Sequence, residues 1–174
     1  MTTGDDRILV QNRIDFVTGA VRRYLADVDA LTQIAGDVQS LVTDRNGSSL
    51  RNAPAEGEWS ALRILGHMIA YARVLHDQLD RMAHMTDPVL PTTDDAAVAE
   101  QEDWESRDPD ELSALLAAAI GESVELLKYV PDSSWGRAGL HPMMGRRSIV
   151  QQVRGASAHL RSHVEQIEAA IASA

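Results

Sequence analysis

The chain has 174 residues, no cysteine and a formal net charge of −10 at pH 7. That length suits one domain, residues 1–174, and without cysteine neither disulfides nor thiolate metal sites can form. The negative charge argues against nucleic acid or a membrane surface as a partner. Because the N-terminus, MTTGDDRILVQNR, does not resemble a signal peptide and no stretch reaches the ~18 apolar residues of a membrane span, we expect a cytoplasmic protein.

The first predicted helical region lies between Gln11 and Val42, where apolar residues recur every three or four positions. The pattern fits one long helix or two, since Gly19 and Gly36 permit a break. The stretch that follows, DRNGSSLRNAPAEGE, is rich in turn-forming residues and is predicted to be a loop.

A second helix is predicted to begin after Ser60, whose hydroxyl is a suitable N-cap, and to end before Pro88. The next connection has more than twenty residues and is predicted to contain a short helix around Asp95 to Trp104. Such a length suits a crossover between helices better than a tight hairpin.

The third helix has the strongest start signal, with Asp108 as N-cap and Pro109 at the first helical position. After a second loop, PDSSWGRAGLHPMMGRR, Ser148 and Gln151 form a capping box for a fourth helix that runs to about Ile171. No strand-like alternation is evident. The sequence therefore predicts an all-α protein, a four-helix bundle with long crossover connections.

Two histidines stand one turn apart on the fourth helix, in the motif HLRSH, at the edge of its buried face. Side chains four positions apart on a helix have Cβ atoms about 5–6 Å from one another, so His159 and His163 can bind one metal ion. Two ligands make a weak site, and the candidate for a third is His67 on the second helix. The alternative is that the pair arose by chance and only packs.

The other histidines have weaker claims. His76 and His84 lie toward the opposite end of the bundle and are interpreted as surface or packing residues. His141 precedes the fourth helix, and a place in a pocket wall is favoured over a ligand role. Among the aromatic residues, Tyr71 and Trp135 are candidates for a pocket wall, with packing as the alternative. The pair Met143 and Met144 is expected to pack beside the bundle.

Three segments resemble the DinB-like family of metalloenzymes, which are four-helix bundles. They are EWSALRILGHM, with histidine following Trp-Ser, then WGRAGLHPMMGRRSI before the last helix, and HLRSHVEQI within it. The resemblance runs from about Asp27 to Ile171. Residues 1–25 have no counterpart in the family and are treated as an N-terminal extension whose packing is left open.

The resemblance implies that His67, His159 and His163 are the metal ligands and that the metal is a divalent cation, with zinc and nickel as the leading candidates. It also implies a class of reaction, because related bacterial proteins are transferases or isomerases that use low-molecular-weight thiols such as mycothiol or bacillithiol. A fold shared with such enzymes does not by itself transfer their reaction.

Three hypotheses for function follow. The leading one is a metal-dependent transferase or isomerase that activates a small thiol for attack on a small electrophile, the thiol coming from a cosubstrate because the chain has no cysteine. Metal-assisted hydrolysis ranks lower, since no general base lies beside the HxxxH pair. The third is a metal-binding or stress-associated homodimer without turnover. Four arginines are candidates for binding the cosubstrate: Arg63, Arg146, Arg147 and Arg154.

Overall fold

A computed structural model describes residues 22–43, 45, 47–94, 97–98 and 103–173. Residues 11–21 of the predicted helical region, and most of the N-terminal extension, therefore lie outside the described residues. In chain order the helices and strands are α1 (Leu25–Val42), α2 (Gly47–Arg51), α3 (Ala61–His84), α4 (Pro109–Lys128), β1 (Ala138–His141), β2 (Gly145–Ser148) and α5 (Ile149–Ser173).

Local capping sets where three of the four long helices begin. The Ser60 hydroxyl accepts a hydrogen bond from the N–H of Arg63 at the start of α3, at 3.2 Å. The Asp108 carboxylate does the same for Glu111 at the start of α4, at 3.0 Å, with Pro109 as the first helical residue. Both predicted N-caps are confirmed, because each depends only on residues within one turn.

The start of α5 is a reciprocal capping box. The Ser148 N–H donates to Gln151 Oε1 at 2.9 Å, and the Gln151 N–H donates to Ser148 Oγ at 3.3 Å. These two bonds satisfy backbone donors that would have no partner inside the helix. The predicted box is confirmed, and it fixes the start of the helix that carries His159 and His163.

The four long helices form one bundle. Helices α1 and α3 each pack against α4 and α5, so α1 lies diagonally opposite α3. Leu31, Leu65, Leu116 and Leu160, one from each long helix, are 0% exposed at its centre. The predicted all-α four-helix bundle is confirmed, and the neighbours α3 and α5 are the two helices that carry the candidate ligands. No helix in the described ranges has the length and apolar character needed to cross a bilayer.

The loop before α5 contains a β-hairpin, which corrects the prediction of a structure without strands. Strands β1 and β2 are antiparallel, with His141 opposite Gly145. Gly145 has φ +72°, a left-handed conformation that glycine adopts without strain. Strands of four residues are too short to show a clear alternation, which is why the pattern did not reveal them.

The crossover between α3 and α4 is anchored to this hairpin. The Leu140 N–H donates to Pro88 O at 2.8 Å, and the Leu90 N–H donates to Leu140 O at 2.9 Å. Val89 thereby forms a parallel bridge with Leu140. This pairing holds the first part of the long connection beside the hairpin and so builds one wall of the cavity described below.

Two predictions about the loops need correction. The stretch from Asp44 to Glu58 is not entirely a loop, because α2 forms within it. The short helix predicted around Asp95 to Trp104 falls largely outside the described residues, and Trp104 itself begins a 3₁₀ turn. The Trp104 ring packs so closely on α3 that a Cβ on Gly66 would lie 2.3 Å from it.

Candidate metal centre

His67 lies on the buried face of α3, two turns after the helix begins. It is only 4% exposed. The Trp59 ring, just before the helix, meets the His67 ring edge-on with the ring centroids 5.6 Å apart. The residue before His67 is Gly66, against which Trp104 packs. These contacts fix the backbone on which the His67 imidazole is mounted.

Helix α5 supplies the other two imidazoles. His163 is 8% exposed and His159 is half-buried, with their ring centroids 4.4 Å apart. Because α5 packs beside α3, His67 Nε2 lies 3.0 Å from His163 Nε2, and His163 Nε2 lies 3.2 Å from His159 Nε2. The structure thus brings together the three histidines that the sequence and the family resemblance selected.

The geometry of these nitrogens fits one divalent cation. Two imidazoles bound to the same tetrahedral ion at about 2.0–2.1 Å have donor atoms about 3.3 Å apart. The measured separations are 3.0 and 3.2 Å, and one ligand atom from each histidine lies within 4.8 Å of the others. Metal binding itself stays a prediction.

His163 has an additional polar contact that fixes its orientation. Its Nδ1 lies 2.8 Å from Gln166 Oε1, one turn further along α5. An amide oxygen can only accept, so the His163 proton sits on Nδ1 in this pair and the Nε2 lone pair faces the other histidines. Gln166 was not among the residues selected from the sequence. Its spacing of three residues from His163 was the signal for this role.

A cavity of about 850 Å³ meets the histidine cluster at His159, which forms part of its wall. The Tyr71 ring lines the cavity as well and lies 4.5 Å from the His159 ring, centroid to centroid. Trp135, the other aromatic candidate, is 0% exposed and stacks on Tyr24, so it belongs to the core. This volume is typical of sites for small organic ligands.

The two methionines of the hairpin turn do not pack as predicted. Met143 is 86% exposed and Met144 is 53% exposed, and both line the cavity. The turn places them at the rim of the cavity, and both stay exposed to solvent among the residues that the structure describes. His141 lies in the cavity wall and not in the histidine cluster, in agreement with the favoured interpretation.

The four candidate arginines lie in different surroundings. Arg147 lines the cavity. The Arg63 guanidinium carbon lies 5.4 Å from the centroid of the Trp59 ring, on the side of α3 near His67. Neither is paired with a carboxylate among the residues that the structure describes.

The remaining two arginines form ion pairs elsewhere on the surface. Arg146 pairs with Asp87, and Arg154 binds both oxygens of Asp27 at 2.8 and 3.2 Å. The hydrogen bond to Asp27, with the charge of that carboxylate, raises the pKa of Arg154 above its ordinary value. Neither arginine lines the cavity. Cosubstrate binding by any of the four stays a prediction.

His76 and His84 lie outside the cluster. His84 is exposed, with Nδ1 3.0 Å from the Asp80 carboxylate, and His76 is half-buried on α3. Both positions agree with the surface or packing roles expected for them.

The chain belongs to the DinB superfamily. Residues 30–167 match the sequence model of that superfamily, which is most of the chain and includes all three clustered histidines. The family resemblance inferred from the three motifs is therefore confirmed. No curated protein matches the chain by sequence.

Two solved structures have a similar fold. YfiT from Bacillus subtilis, described as a probable metal-dependent hydrolase with an unusual four-helix bundle topology, superposes with a TM-score of 0.78 at 18% identity, covering 87% of this chain and 88% of YfiT. A mycothiol-dependent maleylpyruvate isomerase superposes with a TM-score of 0.66 at 10% identity, covering 82% of this chain. The matched part is 59% of the isomerase. At these identities the likeness shows the fold alone.

Proposed function

We propose that this protein is a metal-dependent enzyme that uses a low-molecular-weight thiol as cosubstrate. The reaction is either transfer of the thiol to a small electrophile or thiol-dependent isomerisation of that electrophile. The metal, zinc or nickel, is held by His67, His159 and His163. The observation that carries the proposal is the convergence of three imidazole nitrogens, 3.0 and 3.2 Å apart in successive pairs, beside a cavity of about 850 Å³.

The ligand set supports a catalytic centre more than a structural one. Structural zinc sites in proteins have four protein ligands, whereas catalytic sites have three and leave a position for a reactant. A divalent cation held by three neutral imidazoles keeps its full charge and lowers the pKa of a thiol or water molecule that joins it.

Two residues beside the three histidines support this reaction. Gln166 holds the His163 ring so that Nε2 faces the other two histidines. Tyr71 packs against His159 and continues the cavity wall, where it limits how a reactant can lie. Because the chain has no cysteine, the thiol must arrive from solution, and the cavity is large enough for a small thiol beside an electrophile.

The first test is metal content. Freshly purified protein is expected to contain close to one divalent metal ion per chain, and His163→Ala little. His84→Ala is the matched control, because it removes an exposed histidine that is outside the cluster and should keep the metal. Metal in wild type and in His163→Ala at equal levels would refute the centre.

The second test is the reaction. Metal-loaded protein is incubated with a panel of bacterial thiols and small electrophiles, including mycothiol and bacillithiol. Conjugation or isomerisation should exceed that of the free metal, stop with a chelator and return on adding metal. A protein that binds metal but accelerates no thiol reaction would refute the proposed chemistry and leave the centre standing.

Metal-assisted hydrolysis is a second candidate, favoured by one observation that the sequence did not offer. Asp94 of the crossover lines the cavity and is the carboxylate among its described lining residues. It would serve as the general base that is missing beside the HxxxH pair. Thiol-independent ester or amide hydrolysis that falls in Asp94→Asn would support this candidate.

The homodimer without turnover stays a prediction. Light scattering tests it by measuring whether the protein is a dimer or a monomer in solution.

A further inference from the structure

We propose that Arg147 and His141 together form a subsite that binds the carboxylate group of a small organic ligand in the cavity. The inference deepens the proposed function, on which it rests for the use of this cavity by a reactant. It names a chemical group that the substrate or the thiol cosubstrate should carry.

The hairpin places the two side chains next to each other. In its register His141 is opposite Gly145, and Gly139 is opposite Arg147. Positions 141 and 147 therefore share one face of the hairpin as diagonal neighbours, a separation of about 7–8 Å that a long side chain spans. Both residues line the cavity. Arg146, one position away, faces the other side and pairs with Asp87.

Arg147 is held in place by neutral acceptors. Its Nε donates to Gln152 Oε1 at 2.9 Å, and a terminal nitrogen donates to Gln151 O at 2.7 Å. The Gln152 amide is fixed in turn, because its Nε2 donates to Gln78 Oε1 at 2.6 Å. Gln152 is 3% exposed and Gln78 is 5% exposed. These two buried, hydrogen-bonded side-chain amides therefore fix the orientation of the Arg147 guanidinium.

The positive charge of Arg147 has no carboxylate partner among the described residues, in contrast to several other arginines. Arg154 and Arg161, both on α5, pair with Asp27 and Asp37. An arginine fixed by carbonyl oxygens still has guanidinium N–H groups and a full charge to offer a ligand. A carboxylate is the group that best matches a planar guanidinium.

His141 contributes a neutral donor. Its Nδ1 accepts hydrogen bonds from the backbone N–H groups of Met143 and Met144, both at 3.2 Å. Burial, and then the charge of Arg147, lower the pKa of His141 below its ordinary value. A neutral ring with Nδ1 as acceptor carries its proton on Nε2, which can donate to a ligand oxygen.

The rest of the cavity indicates what the ligand carries besides the carboxylate. Val74, Met143 and Met144 present apolar surface, and methionine side chains adapt to ligands of different shape. Asp94, also in the wall, would repel a second negative group placed near it. The ligand class is therefore a small molecule with an apolar body and a carboxylate.

The test compares hexanoate with hexanamide, which have similar apolar chains and differ in charge. Metal-free protein is titrated near neutral pH, with ¹⁵N-labelled histidine observed by NMR. Hexanoate should move the His141 ring resonances and bind at least about tenfold more tightly than hexanamide. Arg147→Gln should weaken hexanoate binding about tenfold or more. Arg161→Gln, with the same change in net charge, should leave it unaltered.

Several results would overturn the subsite. One is equal binding of hexanoate and hexanamide by wild type. Another is hexanoate binding that Arg147→Gln retains. If that binding is also lost in His163→Ala, the anion binds at the histidine cluster instead. Arg147→Lys covers the case in which Arg147→Gln does not fold, and it should keep a reduced preference for hexanoate. Because the protein is metal-free and no turnover is measured, failure here leaves the metal-dependent reaction untouched.

Discussion

His163 connects the other two histidines of the candidate centre. Its Nε2 lies 3.0 and 3.2 Å from the Nε2 atoms of His67 and His159, and its Nδ1 is bound to Gln166. Gln166→Ala should therefore lower metal affinity about 10–100-fold, because the ring loses the partner that fixes its tautomer and rotation. Competition with a chromophoric chelator measures the change.

Two further variants make that prediction specific. Gln166→Glu keeps an acceptor oxygen at the same distance along the side chain and should retain most of the affinity. Glu165→Ala removes an exposed neighbour on α5 that is outside the cluster and should have no effect. An unchanged affinity in Gln166→Ala would show that the helix alone orients His163.

A second residue-scale prediction concerns His141. Because burial lowers its pKa below the ordinary 6.5, the neutral ring is favoured in the folded state. That contribution to stability is complete above the unfolded-state pKa and is lost as pH falls through the lowered folded-state pKa. In His141→Asn the amide oxygen can accept the same backbone N–H groups but does not titrate. Its free energy of unfolding should fall less than that of wild type between about pH 7.5 and 5. Parallel curves from urea titrations would contradict this.

At the scale of elements, the close approach of Trp104 to α3 explains the glycine beside the first ligand. A Cβ on Gly66 would lie 2.3 Å from the Trp104 ring, so Gly66→Ala should lower the free energy of unfolding by at least about 1–3 kcal/mol. Gly121→Ala on α4 is the matched control. Its Cβ would meet nothing within 4 Å, and alanine in a helix interior should add about 0.5–1 kcal/mol. Urea unfolding measures both, and equal effects would contradict the packing argument.

At the scale of the whole molecule, the candidate centre links two helices that are distant in the chain. His67 and His163 are 96 positions apart, so a metal ion between them stabilises the folded state and has no equivalent site in the unfolded chain. Zinc at about 100 times its Kd should add about 2.7 kcal/mol, which is about 5–10 °C in Tm for a chain of this size.

Thermal unfolding with and without zinc, after chelator treatment, measures that shift. His67→Ala should lose most of it, whereas His84→Ala should keep it, because His84 is outside the cluster. A zinc-dependent rise in Tm that survives His67→Ala would place the stabilising ion elsewhere.

The organisation of residues 1–174 as a single domain is also a property of the whole chain, and it stays a prediction.

Sequence by itself determined the four long helices, the N-caps of three of them and a short list of candidate metal ligands. Ser60, Asp108 and the Ser148 box were readable because a cap and the group it binds lie within one turn. The pairing of His159 with His163 was readable for the same reason, since a spacing of four residues puts two side chains on one helix face.

Only the tertiary structure decided which distant residues meet. It brought His67 to the α5 pair, formed the hairpin, and singled out Arg147 from four arginines as the one in the cavity. The physical reason is that these arrangements depend on how whole helices and strands pack, across separations such as the 74 positions between Gln78 and Gln152. Hydrophobic periodicity and capping describe one helix or strand at a time, and they do not specify which other element packs against it.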